Sequence, residues 1–315
     1  MTMKLIAIAL LSISSTFAFA GEKIDETLSV SSNGKVIIEN QRGDVQIKGW
    51  NKSEVKVTGE LDDKALDYEF KSSGNRTIFK VKMPRKMRSW NSGEGSNLVI
   101  HVPINSDLDF EGVNVNVDIS QVEGGSDIET VNGNISAHKL AGKINLTTVN
   151  GGIRSKALGG KIHYETVNGS IHDTDSQGRL RFNAVNGDIE TKTQAEDIRI
   201  ENVNGEIELH ADSIQRLDIS TVNGELDLSI PSFSNNARVQ IETVSGNVQL
   251  NLSEKASAKF EIESHAGGKI RNSLTGDKVN KPKYGPSSSL EFEMLGGKAD
   301  IEIDTISGRI NLKAL

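Results

Sequence analysis

The middle of the chain holds two histidines and three carboxylates within thirteen residues, the side-chain types that cleave glycosidic bonds by acid–base chemistry. They are His163, Glu165, His172, Asp173 and Asp175. Cleavage of a polysaccharide would require these groups on one outer face. His163 and His172 are nine residues apart, which is half a turn of the repeat described below, so we expect them on opposite faces. Asp173 falls at an inward position, and we interpret the group as structural.

Other enzyme signatures are missing from the sequence. It contains no G-x-S-x-G nucleophile motif and no G-x-x-x-x-G-K-[ST] phosphate-binding loop. We therefore predict no catalytic residue.

Basic residues recur at a constant spacing in the same region. We define the basic stripe as Lys143, Lys161, His163, Arg179, Arg181 and Arg199. On strands stacked about 4.8 Å apart, these side chains form two neighbouring rows on one outer face. A third row, Thr147, Glu165, Asn183 and Glu201, partly neutralises them. The opposite face carries Asp188, Glu190, Glu206, Glu208, Glu225 and Asp227. Two interpretations stay open: a solvated surface that prevents aggregation, and a docking strip for an anionic envelope polymer.

A repeat sets the positions of these residues. The tripeptide Val-Asn-Gly begins at residues 131, 149, 167, 185 and 203, each copy 18 residues after the last, and recurs at 222. Weaker copies are Val244-Ser245-Gly246 and Ile306-Ser307-Gly308. Apolar residues follow at half that period, usually two positions after a glycine. This spacing predicts a coil of about 18 residues and two short strands per turn.

The alternation of side chains predicts how the core is filled. One wall places bulky residues inward, namely Leu146, Tyr164, Phe182 and Ile200. The facing wall places Ala137, Ser155, Asp173 and Thr191 inward. Strand residues alternate faces, so the large and small rows can interdigitate. Asn and Gly suit the corners because both tolerate positive φ, and stacked Asn amides can bond along the coil axis. We predict an all-β fold, a single β-solenoid, with a right-handed coil favoured by the usual hand of crossovers.

Segments where the repeat is irregular or interrupted mark the boundaries between the predicted regions of the chain. We predict a β-rich N-terminal region at 21–110 that caps the solenoid, and the solenoid itself at 111–315 with an inserted loop near 271–289. Residues 1–20 read as a signal peptide: Lys4 is followed by an apolar run, and Ala18-Phe19-Ala20 forms a cleavage site. Cleavage after Ala20 implies a periplasmic or secreted protein. No other segment is long and apolar enough for a membrane span.

Several segments together resemble a bacterial family of putative adhesins of unknown function. They are the stretch from Ile38 to Trp50, the pair Val102-Pro103, and the Val-Asn-Gly-x-Ile ladder. The similarity extends over nearly the whole chain after residue 20. It implies a β-solenoid in the cell envelope and brings no catalytic residues with it.

Composition limits the ligands. A net charge of −7 and a pI of about 5.5 argue against a nucleic-acid partner. The sequence has no cysteine, hence no disulfide framework. Calcium-binding solenoids place an Asp at every corner, whereas these corners hold Asn and Val. We predict no metal site and no cofactor.

We expect an adhesin-like, non-enzymatic envelope protein that binds an anionic envelope polysaccharide or a protein partner through its flat faces. One alternative is a structural or envelope-stress-associated periplasmic protein that acts by self-assembly. Another is an enzyme that acts on polysaccharide. The sequence leaves the oligomeric state open.

Overall fold

The structure, a computed structural model, describes residues 21–85 and 93–315. This part of the chain forms 26 β-strands and no helix. The strands wind into a long coil with two facing walls, and the predicted β-solenoid is confirmed. The segment interpreted as a signal peptide, residues 1–20, lies outside the described residues.

The N-terminal part contributes seven strands. They are β1 (Lys23–Ser29), β2 (Lys35–Trp50), β3 (Glu54–Glu60), β4 (Asp67–Ser73), β5 (Arg76–Lys82), β6 (Ser96–Pro103) and β7 (Asp107–Ser120). The long strands β2 and β7 pair in parallel along their length. On its other side, β2 pairs with β5 and then with β6. Strands β1, β3 and β4 add antiparallel pairings that cover this end. The parallel strand pairing that characterises the coil therefore begins at β2, within the N-terminal part.

The regular turns follow as two walls. The first wall contains β8 (Ser126–Asn132), β10 (Ala141–Asn150), β12 (Gly159–Asn168), β14 (Gln177–Asn186), β16 (Asp197–Asn204), β18 (Ile214–Asn223) and β20 (Phe233–Thr243). The second wall contains β9 (Ile135–His138), β11 (Ile153–Lys156), β13 (Ile171–Thr174), β15 (Ile189–Thr193), β17 (Ile207–Ala211), β19 (Glu225–Ile230) and β21 (Asn247–Leu252). Each strand pairs in parallel with its counterpart one turn on, and Ile144, Ile162, Leu180 and Ile198 align in the predicted register.

The C-terminal strands stack out of chain order. They are β22 (Ala258–Ser264), β23 (Lys269–Asn272), β24 (Ser288–Met294), β25 (Ala299–Thr305) and β26 (Arg309–Ala314). Strand β25 lies between β20 and β22, and β26 lies between β21 and β23. Strand β24 pairs antiparallel with β22 at the edge. The repeat register returns at Ile306 as expected, but this turn stacks directly on Val244.

The core is a narrow layer of side chains between the walls. The rings of Tyr164 and Phe182 stack with centroids 4.7 Å apart. Opposite them lie the smaller buried residues predicted for the second wall, Ala137, Ser155, Asp173 and Thr191. From β17 onward this wall carries leucines instead, at Leu209, Leu228, Leu250 and Leu312. The pairing of large with small residues is thus confined to the first turns.

An asparagine ladder runs along one corner. Its members are Asn114, Asn132, Asn150, Asn168, Asn186, Asn204 and Asn223. Each Nδ2 donates to the Oδ1 of the preceding member, over 2.8 Å from Asn132 to Asn114 and 3.3 Å from Asn223 to Asn204. The predicted stacking of amides is therefore confirmed.

The glycines beside this ladder are required for a different reason from the one predicted. Gly133, Gly151, Gly169 and Gly187 do not have positive φ. Instead the preceding turn leaves no room: a Cβ on Gly151 would lie 1.9 Å from the carbonyl oxygen of Gly133. Close backbone approach, rather than left-handed conformation, excludes a side chain here.

Candidate functional site

Asp173 is unsuited to acid–base chemistry because the core encloses it. Its side chain is 0% exposed. Oδ1 accepts hydrogen bonds from the hydroxyls of Ser155 (2.5 Å), Ser176 (2.6 Å) and Tyr164 (2.8 Å), and Oδ2 accepts one from Thr191 (3.2 Å). Burial, with the adjacent carboxylate, raises the pKa of the Tyr164 phenol well above its ordinary value. The cluster satisfies its own polar groups and leaves no atom for a substrate.

The remaining acid–base candidates do not converge. His163 lies on β12 in the first wall, and His172 lies on β13 in the second. Their Nε2 and Nδ1 atoms contact Glu165 at 3.3 Å and Glu190 at 2.8 Å, respectively. Asp175 occupies the corner after β13 with a φ of 58°. The expected separation of the two histidines is confirmed, and these residues form no shared site.

The six residues of the basic stripe lie on one outer face. Strand pairing aligns Lys143, Lys161 and Arg179 in one row, and His163, Arg181 and Arg199 in the next. All are exposed except His163, which is half-buried. All six residues thus occupy outward positions on four neighbouring strands of the first wall, β10, β12, β14 and β16.

Three residues of the stripe contact acidic neighbours. Arg179 Nε lies 2.9 Å from Asp197 Oδ2, and Arg199 Nε lies 2.8 Å from Glu201 Oε1. His163 contacts Glu165, as described above. In contrast, Lys143, Lys161 and Arg181 have no acidic partner among residues 21–85 and 93–315. These three side chains line a shallow groove of about 350 Å³, together with Asn145 and Ile162, and with His163 and Arg179.

Acidic residues bound the stripe at both ends. Asp127 aligns with Asn145 one turn before it. Asp197 continues the row of Arg179, and Asp218 continues the row of Arg199. The basic stripe is therefore a compact patch rather than a continuous strip along the coil.

The opposite wall is acidic. Its outward residues Asp188, Glu190, Glu206, Glu208, Glu225 and Asp227 are exposed or half-exposed. Two of these carboxylates pair with histidines: Glu190 with His172, and Glu208 with His210 at 2.9 Å.

Sequence reasoning missed an apolar row beside the asparagine ladder. We define the valine ladder as Val131, Val149, Val167, Val185, Val203, Val222, Val244 and Ile306. Except for the half-buried Val167, these side chains are 36% to 48% exposed. With Glu165, Arg199 and Glu201, part of the ladder lines a groove of about 620 Å³. The signal was present in the repeat: Ile144, Leu146 and Thr148 occupy alternate inward positions, so alternation turns Val149, the next residue, outward.

A protein-family model matches most of the chain. The model described as Toastrack DUF4097 matches residues 33–313. The chain belongs to the Toastrack DUF4097 family. This family has the β-solenoid fold seen here, and the resemblance to putative adhesins stated from the sequence is confirmed. A comparison with curated proteins gives no match.

Three solved structures are similar to this Toastrack chain. A putative cell adhesion protein from Clostridium sporogenes is 14% identical, with 93% of this chain and 100% of that one covered and a TM-score of 0.25. A putative lipid binding protein from Parabacteroides distasonis is 10% identical (94% and 97% covered, TM-score 0.42). A putative adhesin from Bacteroides fragilis is 12% identical (93% and 97% covered, TM-score 0.37). Among the residues that the structure describes, no helix could cross a membrane.

Proposed function

We propose that this Toastrack protein is an exported, non-enzymatic envelope protein that binds an anionic surface polymer through the three unpaired cations of the basic stripe. The observation that carries the proposal is the set of three cations, Lys143, Lys161 and Arg181, which line one groove on three successive turns without an acidic partner in the described chain. Export rests on the signal-peptide pattern at residues 1–20.

Electrostatics favour an anion at this groove. Adjacent turns lie about 4.8 Å apart, so Lys143 and Lys161 repel each other at short range, and Arg181 adds a third positive charge in the neighbouring row. The molecule as a whole carries a net charge of −7, and the positive potential is therefore local. A polymer with closely spaced carboxylates or phosphates would relieve the repulsion, and salt would screen the contact.

The arrangement of acid–base groups supports a role in binding rather than catalysis. Asp173 is enclosed in the core, and His163 and His172 lie on opposite walls. A flat, rigid wall with ordered charges is suited to a repeating ligand, as in other solenoids with extended binding surfaces.

The test compares unpaired with paired cations on the same face. Protein expressed from the full chain is incubated with lipopolysaccharide, capsule and peptidoglycan fractions at low and high salt. The variant Lys161→Gln with Arg181→Gln removes two unpaired charges. The matched control, Arg179→Gln with Arg199→Gln, removes two charges that are already paired.

The proposal predicts salt-sensitive binding to one fraction that the first double variant loses and the control largely keeps. Equal losses in both variants would show that only net charge matters. Failure of the folded wild-type protein to bind any fraction would overturn the proposal.

A second candidate function is self-assembly, favoured by the charge difference between the walls. The basic stripe lies on the first wall, and the acidic residues, including Glu206 and Glu208, lie on the second. Light scattering would show salt-sensitive oligomers if one molecule's stripe contacts the second wall of another. A monodisperse monomer at high concentration would exclude this function.

A further inference from the structure

Two carboxylates and an imidazole converge near the C-terminal end of the coil. Glu263 and His265 come from the end of β22 and the residue after it, and Asp304 comes from β25. His265 Nε2 lies 3.7 Å from Asp304 Oδ1 and 3.9 Å from Glu263 Oε2. One ligand atom from each of the three side chains lies within 4.8 Å of the others.

His265 departs from the repeat at its position. The main-chain N–H of His265 bonds to the carbonyl of Thr305, and that of Ala266 bonds to the carbonyl of Ile306. His265 therefore stands where the neighbouring turns carry the valine ladder, which ends in Ile306. Packing of the coil does not require an imidazole there, because an aliphatic side chain fills this position in the other turns.

The carboxylates also depart from a pattern. Along the outward row of the first wall, acidic and neutral residues alternate from turn to turn: Glu129, Thr147, Glu165, Asn183, Glu201, Ser220 and Glu242. The insertion of β25 then places Glu242, Asp304 and Glu263 on three adjacent strands. Like charges in adjacent positions of a sheet are destabilising, and the alternation avoids them between Glu129 and Glu242. At the start of the same row Glu39, Glu111 and Glu129 also stack, but there Lys80 forms an ion pair with Glu39.

The surrounding charges do not compensate for this stack. Glu261 and Glu302 lie in the neighbouring row. Within the described residues, no lysine or arginine forms an ion pair with Glu242, Glu263 or Asp304. A groove of about 330 Å³, lined by Glu242, His265 and Asp304 among others, opens here to solvent.

We propose that Glu263, His265 and Asp304 bind a divalent transition-metal ion of the zinc class. One imidazole nitrogen with two carboxylate oxygens is a ligand set that zinc accepts, at about 2.0–2.2 Å from each atom. The two separations from His265 Nε2, 3.7 and 3.9 Å, need to close by less than about 1 Å to reach the spacing of ligands in a tetrahedral site. Calcium is disfavoured because it takes oxygen ligands.

Such an ion would join β22 to β25, and hence the outermost turn to the turn inserted beneath it. A coordination position would stay open to solvent, because the three ligands lie on one exposed face. The site is separate from the basic stripe and does not depend on the function proposed for it.

The experiment titrates the metal into protein expressed from the full chain, without an affinity tag and after treatment with chelator. Isothermal titration calorimetry with ZnCl₂ and with CaCl₂ measures binding of each metal. Thermal unfolding with and without ZnCl₂ measures how much zinc binding stabilises the folded protein. The variants are His265→Val, which restores the residue type of the valine ladder, and the nearly isosteric Asp304→Asn. The control is His210→Val, since His210 forms an ion-pair contact with a single carboxylate, Glu208, among the described residues.

Wild type and the His210→Val variant should bind one zinc ion saturably and unfold at a higher temperature with zinc. His265→Val and Asp304→Asn should bind at least about tenfold more weakly while keeping the far-ultraviolet circular dichroism of the wild type. Calcium should not compete. Absence of saturable zinc binding in wild type, or equal affinity in wild type and both site variants, would overturn the proposal.

Discussion

The hydroxyl of Tyr164 donates a 2.8 Å hydrogen bond to the carboxylate of Asp173, which lies nine residues later on the facing wall. This bond ties the two walls together within one turn. Three further hydroxyls, those of Ser155, Ser176 and Thr191, satisfy the same carboxylate. The buried side chain of Asp173 is tolerated in the core because hydroxyl donors satisfy its oxygen atoms.

Substitution of Tyr164 by Phe should lower the free energy of unfolding by about 1–3 kcal/mol, because it removes a hydrogen-bond donor from a buried polar cluster. The ring would still stack on Phe182. Urea denaturation followed by circular dichroism measures the change. Tyr68→Phe is the control, since its hydroxyl contacts Glu26 at an exposed position. A Tyr164→Phe midpoint equal to the wild-type midpoint would contradict a stabilising role for the cluster.

The raised pKa of Tyr164 predicts a loss of stability in alkali. The phenol titrates near 10.0 when unfolded and well above that value when folded. Above pH 10 the unfolded state therefore holds fewer protons than the native state, and stability falls as pH rises. Denaturation midpoints between pH 8 and 11 should decline less steeply in Tyr164→Phe than in wild type. Parallel curves for the two proteins would exclude this contribution.

The buried ion pair at the N-terminal end should be costly to break. Arg42 Nε and Nη2 lie 2.6 and 2.9 Å from the carboxylate oxygens of Asp62. Burial alone would raise the pKa of Asp62, but the hydrogen bond and charge of Arg42, together with the main-chain N–H of Lys64, outweigh it and hold the pKa below the usual value. Arg42→Ala should cost about 3–5 kcal/mol, because an uncompensated charge stays buried.

Thermal or urea unfolding of Arg42→Ala gives that cost, and Lys82→Ala is the matched control. Lys82 pairs with Asp67 at 2.8 Å on the surface, where an ion pair contributes little. Comparable losses in the two variants would mean that burial does not determine the importance of the Arg42 pair.

The corner glycines should not tolerate a methyl group. A Cβ on Gly169 would lie 1.9 Å from the carbonyl oxygen of Gly151, so neighbouring turns would have to separate. Gly169→Ala should therefore lower stability by about 1–3 kcal/mol. Gly276 has open space around it and no positive φ, and Gly276→Ala should be nearly neutral. A Gly169→Ala protein as stable as Gly276→Ala would refute the packing argument.

Much of the fold could be predicted because the length of the sequence repeat gives the register in which strands of successive turns pair. The 18-residue spacing places Ile144 on Ile162 and Asn132 on Asn150 without further information. The same spacing places Asp197 one turn after Arg179, so the neutralisation of part of the basic stripe was also within reach. The surroundings of Asp173 follow similarly, since Ser155 and Thr191 lie one turn before and after it.

The end turns could not be predicted in the same way. Repeat spacing orders the turns along the chain, whereas the position of β25 between β20 and β22 depends on pairing between distant segments. The convergence of His265 with Asp304 follows from that pairing and is invisible in the local pattern. The valine ladder was overlooked for another reason: an apolar residue in a repeat suggests the core, and here it faces solvent.

The insertion of β25 and β26 has a consequence for how the molecule can be shortened. In a simple stack of repeats, deletion from one end removes the outermost layer and leaves a shorter stack. Deletion of residues 299–314 would instead remove an interior layer, leaving β20 and β21 with unpaired edges that face the displaced β22 and β23. The layer of β20 and β21 and the layer of β22 and β23 are joined in the sheet only through β25 and β26. The C-terminal end of the coil is therefore complete only when residues 299–314 are paired between them.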